Sequence, residues 1–286
     1  MAQDQEKSTV AFSHHPRQWR DFQYVYPVIS RRSKGLSIGI NLNPGQNCNF
    51  DCIYCQVNRL HPGTTSSIDF GMLSQELEQM LTHWPQVFEE ERYRSLPAEF
   101  RTVRDIAFSG DGEPTLSPAF PAVAGLAAEM RTRFGLKQTK IVVLTNSCNL
   151  RNPFVIQTLA FLDDHNGEIW AKLDAGTQEY FQKINRACQP LDDIVQNLLL
   201  TSRVRPIVIQ SMFLRMSGDA PSPAELQAYL VRLKYLLDNG GKIKLVQVYT
   251  VARKPAQPEV DKLGDAELTT IADRVRGLGI PAEIYT

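Results

Sequence analysis

The chain has 286 residues, 43% apolar and 22% charged, the balance of a globular protein rather than a disordered tail, a collagen or a coiled coil. Its 31 Lys and Arg cancel its 31 Asp and Glu, so no global field draws it towards nucleic acid or an anionic membrane. The opening MAQDQEKST is polar, with no apolar segment of a secretory signal, and no apolar run reaches the length of a membrane span. A soluble cytoplasmic protein without a membrane partner is expected. The length allows one or two domains and suffices for a large core.

Residues 1–35 read as an N-terminal extension. Arg17, Arg20, Arg31, Arg32 and Lys34, with only Asp21 nearby, are interleaved with Trp19, Phe22, Tyr24 and Tyr26. Such mixing is found on nucleic-acid surfaces; the preferred reading is an arm that packs its aromatics on the body and leaves its charges in water. The pattern then becomes regular over 36–286. Leu36 to Leu42 alternates like a strand, and a loop with Pro44, Gly45 and three cysteines follows. Residues 69–93 read as a helix with Leu73, Leu77, Met80 and Leu81 on one face. Val103 to Phe108 is a strand that runs into SGDGEP, and 117–134 opens with Ser-Pro and carries an apolar helical face. Strands are then expected at Lys140–Leu144, Glu168–Leu173, Pro206–Phe213 and Lys242–Val248, with helices at Asn152–Leu162, Leu191–Leu200, Pro223–Leu237 and Asp265–Leu278. The terminal IPAEIY reads as one more strand.

Six strand-then-helix units in strict alternation give a parallel sheet covered by helices. An open doubly wound sheet and a curved partial barrel both satisfy that pattern, and in either one ligands belong at the C-terminal strand ends.

Five cysteines are unevenly spaced. Cys48, Cys52 and Cys55 fall in NCNFDCIYCQ with C-x3-C-x2-C spacing, while Cys148 and Cys188 stand alone and read as small apolar residues. A disulfide framework would spread its cysteines to close loops; three clustered thiols read as a metal or cluster site. A 4Fe–4S cube normally takes four cysteines, so three leave one iron open to an exogenous ligand, which suits chemistry. Zinc would need a fourth protein ligand, for which His61 is the nearest candidate, and inert thiols are the third reading. His14 and His15 form the one adjacent histidine pair and read as solvated; His83 and His165 have no ligand spacing.

CNFDCIYC, with an aromatic residue before its third cysteine, resembles the signature of radical S-adenosylmethionine (radical SAM) enzymes. The likeness extends through YPVISRRSKGLSIGINLNPGQNCNFDCIYCQVNR and FSGDGEPTLSP to a little-characterised branch similar to the radical SAM part of wybutosine-forming tRNA enzymes. It implies an α/β fold, a partial (βα)6 TIM-like barrel. It also implies that Cys48, Cys52 and Cys55 ligate three irons of a 4Fe–4S cluster whose open iron binds S-adenosylmethionine. Tyr54 would lie near the adenine; its plain alternative is a ring packed on the barrel rim. Gly110, Asp111, Gly112 and Glu113 sit where the family's Gly-Gly-Glu motif falls, with Asp111 as a departure from its common form. Asn146, with Thr145 and Ser147, resembles a motif lining the SAM site, and Lys172 and Asp174 would serve the SAM carboxylate and ribose. Turn chemistry and a rim ion pair are the alternatives there.

Gln210 and Met212 on the fifth strand, and Gln247, Tyr249 and Arg253 around the sixth, would face the barrel mouth if alternation holds, as candidates for substrate contact; a hydrogen bond to a neighbouring strand is the simpler reading for the glutamines. The implied activity is reductive SAM cleavage and hydrogen-atom abstraction from a substrate, with a one-electron donor such as flavodoxin or ferredoxin. A small molecule, a protein and a tRNA base all stand as substrates. Against tRNA are the absence of a second cysteine triplet and the neutral charge. A non-catalytic iron–sulfur or zinc protein is the competing class.

Overall fold

The computed structural model describes residues 19–46, 48–57, 67–94, 96–253 and 257–286. His14, His15, Arg17 and His61 lie outside the described residues. The chain divides into two compact units: residues 1–47, 63–143 and 157–168 form the first, and 48–62, 144–156 and 169–286 the second.

In the first unit, β1 (Val25–Ser30) pairs antiparallel with β2 (Gly35–Ile40), and β2 pairs parallel with β3 (Val103–Phe108), which pairs parallel with β4 (Lys140–Thr145). The segment expected as an extension thus contributes a strand. It sits at the edge, where Pro27 is tolerated because one side of the strand needs no donor. Trp19, Tyr24 and Tyr26 are buried, and the Arg20 guanidinium lies 4.2 Å from the Trp19 ring centroid. Helix α1 (Phe70–His83) starts at an Asp69 cap and buries Leu73, Leu77, Met80 and Leu81, the expected face. Pro85 then turns the expected long helix into a 3-10 segment, Trp84–Glu89. Glu76, which no periodicity singles out, is buried on α1 and accepts from the backbone N–H groups of Gln23, Tyr24 and Val25 at 2.8–3.0 Å. It thereby fixes the start of β1. Helix α2 (Phe120–Arg133) follows the β3 loop.

In the second unit, β5 (Gly167–Lys172), β6 (Ile207–Met212), β8 (Ile243–Tyr249) and β10 (Ala282–Tyr285) run parallel in that order. The short strands β7 (Leu214–Met216) and β9 (Val260–Lys262) pair apart from them. The helices are α3 (Pro153–Asp163), shared by the two units, then α4 (Gln178–Asn185), α5 (Leu191–Val204), α6 (Pro223–Asp238) and α7 (Asp265–Arg276). Helix α4 is additional to the expected set. Strand and helix alternate along the chain as expected, and the fold is α/β of the partial (βα)6 TIM-like barrel class. Among the described residues no helix is long and apolar enough to cross a membrane.

One buried acid in the first unit gives a pH prediction. Asp105 on β3 is 2% exposed and accepts from the Ser37 hydroxyl. Burial raises its pKa, opposed by hydrogen bonds from Ser33 and Ser37 and by the Arg32 and Lys140 charges. An acid whose folded pKa is raised binds its proton more tightly folded than unfolded, so ionising it costs stability as pH rises through that value. The stability of Asp105→Asn relative to the parent is therefore expected to rise between about pH 4 and pH 7. Urea midpoints at the two pH values measure it; a flat difference contradicts the assignment.

Candidate functional site

In the second unit the cysteine loop is held by the end of a helix. Helix α4 is capped by the Thr177 hydroxyl, which accepts from Tyr180 N–H, and it buries Phe181 and Ile184. Its last carbonyls receive the loop: Ile53 N–H donates to Ile184 at 2.9 Å and Asp51 N–H to Asn185 at 3.2 Å. Arg186 then leaves the helix in the left-handed region and pairs with Asp51 at 3.3 Å. Within the loop Cys55 N–H closes a turn onto the Cys52 carbonyl at 2.9 Å. Asn146, just past β4, donates to the Asn49 side chain at 2.8 Å and so joins the end of the third strand–helix unit to the same loop.

Cys52, Tyr54, Lys172, Asp174 and Asn185 form one network. Tyr54 is buried and its hydroxyl donates to Asp174 Oδ2. Asn185 Nδ2 donates to the same oxygen at 3.0 Å, and Met212 N–H donates to Oδ1 at 2.9 Å. Both oxygens of Asp174 are thus engaged by the protein, which ties together residues from four segments. The Lys172 ammonium sits 5.0 Å from the Tyr54 ring centroid. Burial alone would lower the Lys172 pKa; the facing Tyr249, Asp174, Cys52 and Cys55 outweigh it and raise the pKa, holding the charge on. Burial pushes the Cys52 thiol up to about 11 against the pull of Lys172. Burial and the neighbouring Asp174 and Cys52 hold Tyr54 protonated.

The strand register lines up a second group. Lys172 on β5 stands opposite Gln210 on β6, Gln210 opposite Gln247 on β8, and Gln247 opposite Glu283 on β10. Met212, Tyr249 and Tyr285 form the next row. Between the rows, Ser211 contacts the Tyr229 hydroxyl of α6 at 2.6 Å, so Gln210 and Met212 occupy the opposite sheet face by alternation. Gln210 donates to Gln247 at 2.7 Å, the cross-strand bond that was the simpler reading, and its own Oε1 is buried without a hydrogen-bond partner. Arg253 lies past the end of β8.

The Gly-Asp-Gly-Glu loop belongs to the first unit. Gly110 has φ +126°, and a Cβ there would stand 2.7 Å from Asn41 Oδ1. Asn41 donates to Asp111 at 2.8 Å and accepts from Asp111 N–H at 3.2 Å and Asn43 N–H at 2.9 Å. Asp111, the departure from the usual motif, thus serves as the loop's anchor. Glu113 is buried and accepts from the Thr115 N–H and hydroxyl.

The donor set bears on what the loop could hold. Three thiols on one loop, two of them on the Cys52–Cys55 turn, with an ammonium and an amide N–H beside Cys52, suit a group that leaves thiolates electron-rich, as an iron–sulfur cluster does. Among the described residues no three His, Cys, Asp or Glu side chains gather closely enough for a single metal ion. A donor set of thiols with an ammonium and an amide N–H beside it is of the chemical kind that an iron–sulfur cluster takes. Asn185 and Glu76 stand in no motif and escaped the sequence reading; Asn41 lies in the GINLNPG stretch but nothing local marks it as the partner of Asp111.

No protein-family model matches the chain. A solved radical SAM methyltransferase from Sphaerobacter thermophilus superposes with a TM-score of 0.63 at 15% identity, covering 91% of this chain and 68% of that one. The fold is that of this radical SAM enzyme, in line with the resemblance carried by the motifs. By sequence, the chain is similar to a UPF0026 protein of Helicobacter pylori, 25% identical over 246 residues, 85% of this chain and 70% of that protein. A UPF0026 protein of Methanocaldococcus jannaschii is 29% identical over 178 residues, 62% of this chain and 47% of the relative.

Proposed function

We propose that the chain is a radical SAM enzyme, in which Cys48, Cys52 and Cys55 hold a 4Fe–4S cluster and the fourth iron takes S-adenosylmethionine. The observation that carries this reading is the three-thiol loop pinned to the end of α4, with Lys172 held as an ammonium beside Cys52 and Cys55. When bound and reduced, the cluster and S-adenosylmethionine supply a carbon radical able to remove a hydrogen atom from substrate.

The chain's own residues bind and orient. Lys172 takes the carboxylate of the methionine moiety, a charge-assisted contact in a sheltered place. Within the first unit, Gly110, Asp111, Gly112 and Glu113 form a loop with the backbone and carboxylate acceptors that the resemblance assigns to a cofactor ammonium, and the Asn41 contacts support its shape. Asn146 lines the cofactor. Tyr54 supplies a flat ring for the adenine side. Asp174, with both oxygens engaged by protein donors, acts by orienting Tyr54 rather than by reaching the ribose. The face bearing Gln210, Met212, Gln247 and Tyr249, together with Arg253, receives the substrate. The unpartnered Gln210 oxygen supports that role, because a buried acceptor without a donor is costly. Electrons come from a small one-electron carrier of the flavodoxin or ferredoxin kind.

The test is anaerobic reconstitution with iron and sulfide, then dithionite and S-adenosylmethionine. Formation of 5′-deoxyadenosine is expected; a protein that carries the cluster yet yields none would count against the reading.

A further inference from the structure

Asn185 is the last residue of α4 and 2% exposed. Its Nδ2 lies 3.4 Å from Cys52 Sγ, 3.2 Å from the Tyr54 hydroxyl and 3.0 Å from Asp174 Oδ2. The orientation of the amide is fixed by chemistry. A carboxylate and a sulfur both demand a donor, so the NH2 group must face them, and rotating the amide would set its oxygen against two acceptors. The opposite atom, Oδ1, is buried with no hydrogen-bond partner. A buried unsatisfied oxygen destabilises the fold, so the arrangement keeps the donor on sulfur in preference to satisfying the acceptor.

We propose that Asn185 is a positioning residue for the cluster, donating an N–H···S hydrogen bond to the Cys52 thiolate that raises the cluster's reduction potential and fixes the sulfur's direction. The inference rests on the cluster reading above. The physical basis is charge: reduction adds an electron to the cluster, part of that charge falls on the cysteine sulfurs, and a donor on sulfur stabilises the reduced form more than the oxidised one. The same amide also reaches the Tyr54 and Asp174 pair, so the sulfur, the ring and the carboxylate share one support. The Tyr54 hydroxyl is a second hydrogen-bonding neighbour of the Cys52 sulfur, so Asn185 acts on it together with that ring.

The experiment is a redox titration of the reconstituted protein and of Asn185→Leu and Asn185→Ser, followed by EPR of the reduced cluster without S-adenosylmethionine. Leu keeps the bulk and removes the donor. Ser is too short to reach the sulfur and places less strain on folding. Both variants are expected to load iron and sulfide and to show an about tenfold lower ratio of reduced to oxidised cluster at a fixed potential, about 59 mV more negative for a one-electron couple. A variant that loads the cluster at the parent's potential overturns the proposal and leaves the cluster reading standing. A parent that takes up no iron or sulfide overturns both. If neither variant holds a cluster, pulsed EPR of the parent labelled with 15N-asparagine decides: nitrogen coupling to the reduced cluster supports the hydrogen bond, and its absence overturns it.

Discussion

Replacement of Cys52 by alanine is expected to lower 5′-deoxyadenosine formation by at least about 100-fold, since even the outer partners of metal ligands are worth about 10–100-fold in affinity or activity. Iron and sulfide content should fall with it. The magnitude follows from the place of Cys52 at the centre of the site: its loop neighbours Asp51 and Ile53 are bonded to the end of α4, and its sulfur receives Asn185. Two remaining thiols cannot hold a cube against hydrolysis as three do. Cys188→Ala is the matched control, because that cysteine is exposed and belongs to no part of the site; its product yield should equal the parent's. Anaerobic iron and sulfide assay with chromatography of the nucleoside products reads both variants. Equal yield from Cys52→Ala and the parent would remove the cysteine loop from the chemistry.

Gly176→Ala is expected to cause the largest loss of stability. A Cβ at Gly176 would stand 2.0 Å from Tyr229 N and 2.5 Å from the Ala228 carbonyl carbon, both backbone atoms of α6. Side-chain rotation cannot relieve that contact, so α6 must move from the chain that follows β5. The same spot carries a compact carboxylate site: Glu225 of α6 accepts from Gly176 N–H at 2.5 Å and from the Thr177 N–H and hydroxyl. Pushing the helix away breaks those bonds as well. Overpacking and a broken buried network together put the loss at about 3 kcal/mol or more. That corresponds to a melting temperature lower by roughly 6–12 °C. Because Asp174 lies two residues earlier, cluster loading should weaken too. Gly125→Ala, in α2 with nothing within 4 Å of the new carbon, should instead stabilise by about 0.5–1 kcal/mol. Thermal unfolding of both variants reads the contrast, and a Gly176→Ala protein melting with the parent would contradict the packing described.

Local periodicity carried much of the fold. Val103–Phe108 and the start of β4 at Lys140 read directly as short apolar strands, and the buried face of α1 from its 3.6-residue spacing. What escaped was short or masked by composition. Helix α4 is eight residues long, and its signal, a Thr177 cap with Glu179 in the first turn, lay among loop residues. Strand β1 was hidden because Pro27 and a cluster of aromatics and arginines resemble a surface arm. The three cysteines and the glycine loop were legible as candidates because close spacing on one loop needs no tertiary knowledge. Asn185 was not, because 133 residues separate it from Cys52 and only the fold brings them together. Asp174 was expected beside a ligand, and its two oxygens instead accept from the protein's own donors, a fact that no spacing encodes.

The central claim is that three protein sulfurs hold the cluster and the fourth iron is left for S-adenosylmethionine. Electron–nuclear double resonance on the reduced protein, with the cofactor labelled at its methionine nitrogen and carboxylate oxygen, tests it most directly. Coupling from both labelled atoms is the predicted result. A cluster whose spectrum is unchanged by the labelled cofactor, its fourth iron held by a side chain of this protein, would contradict the account.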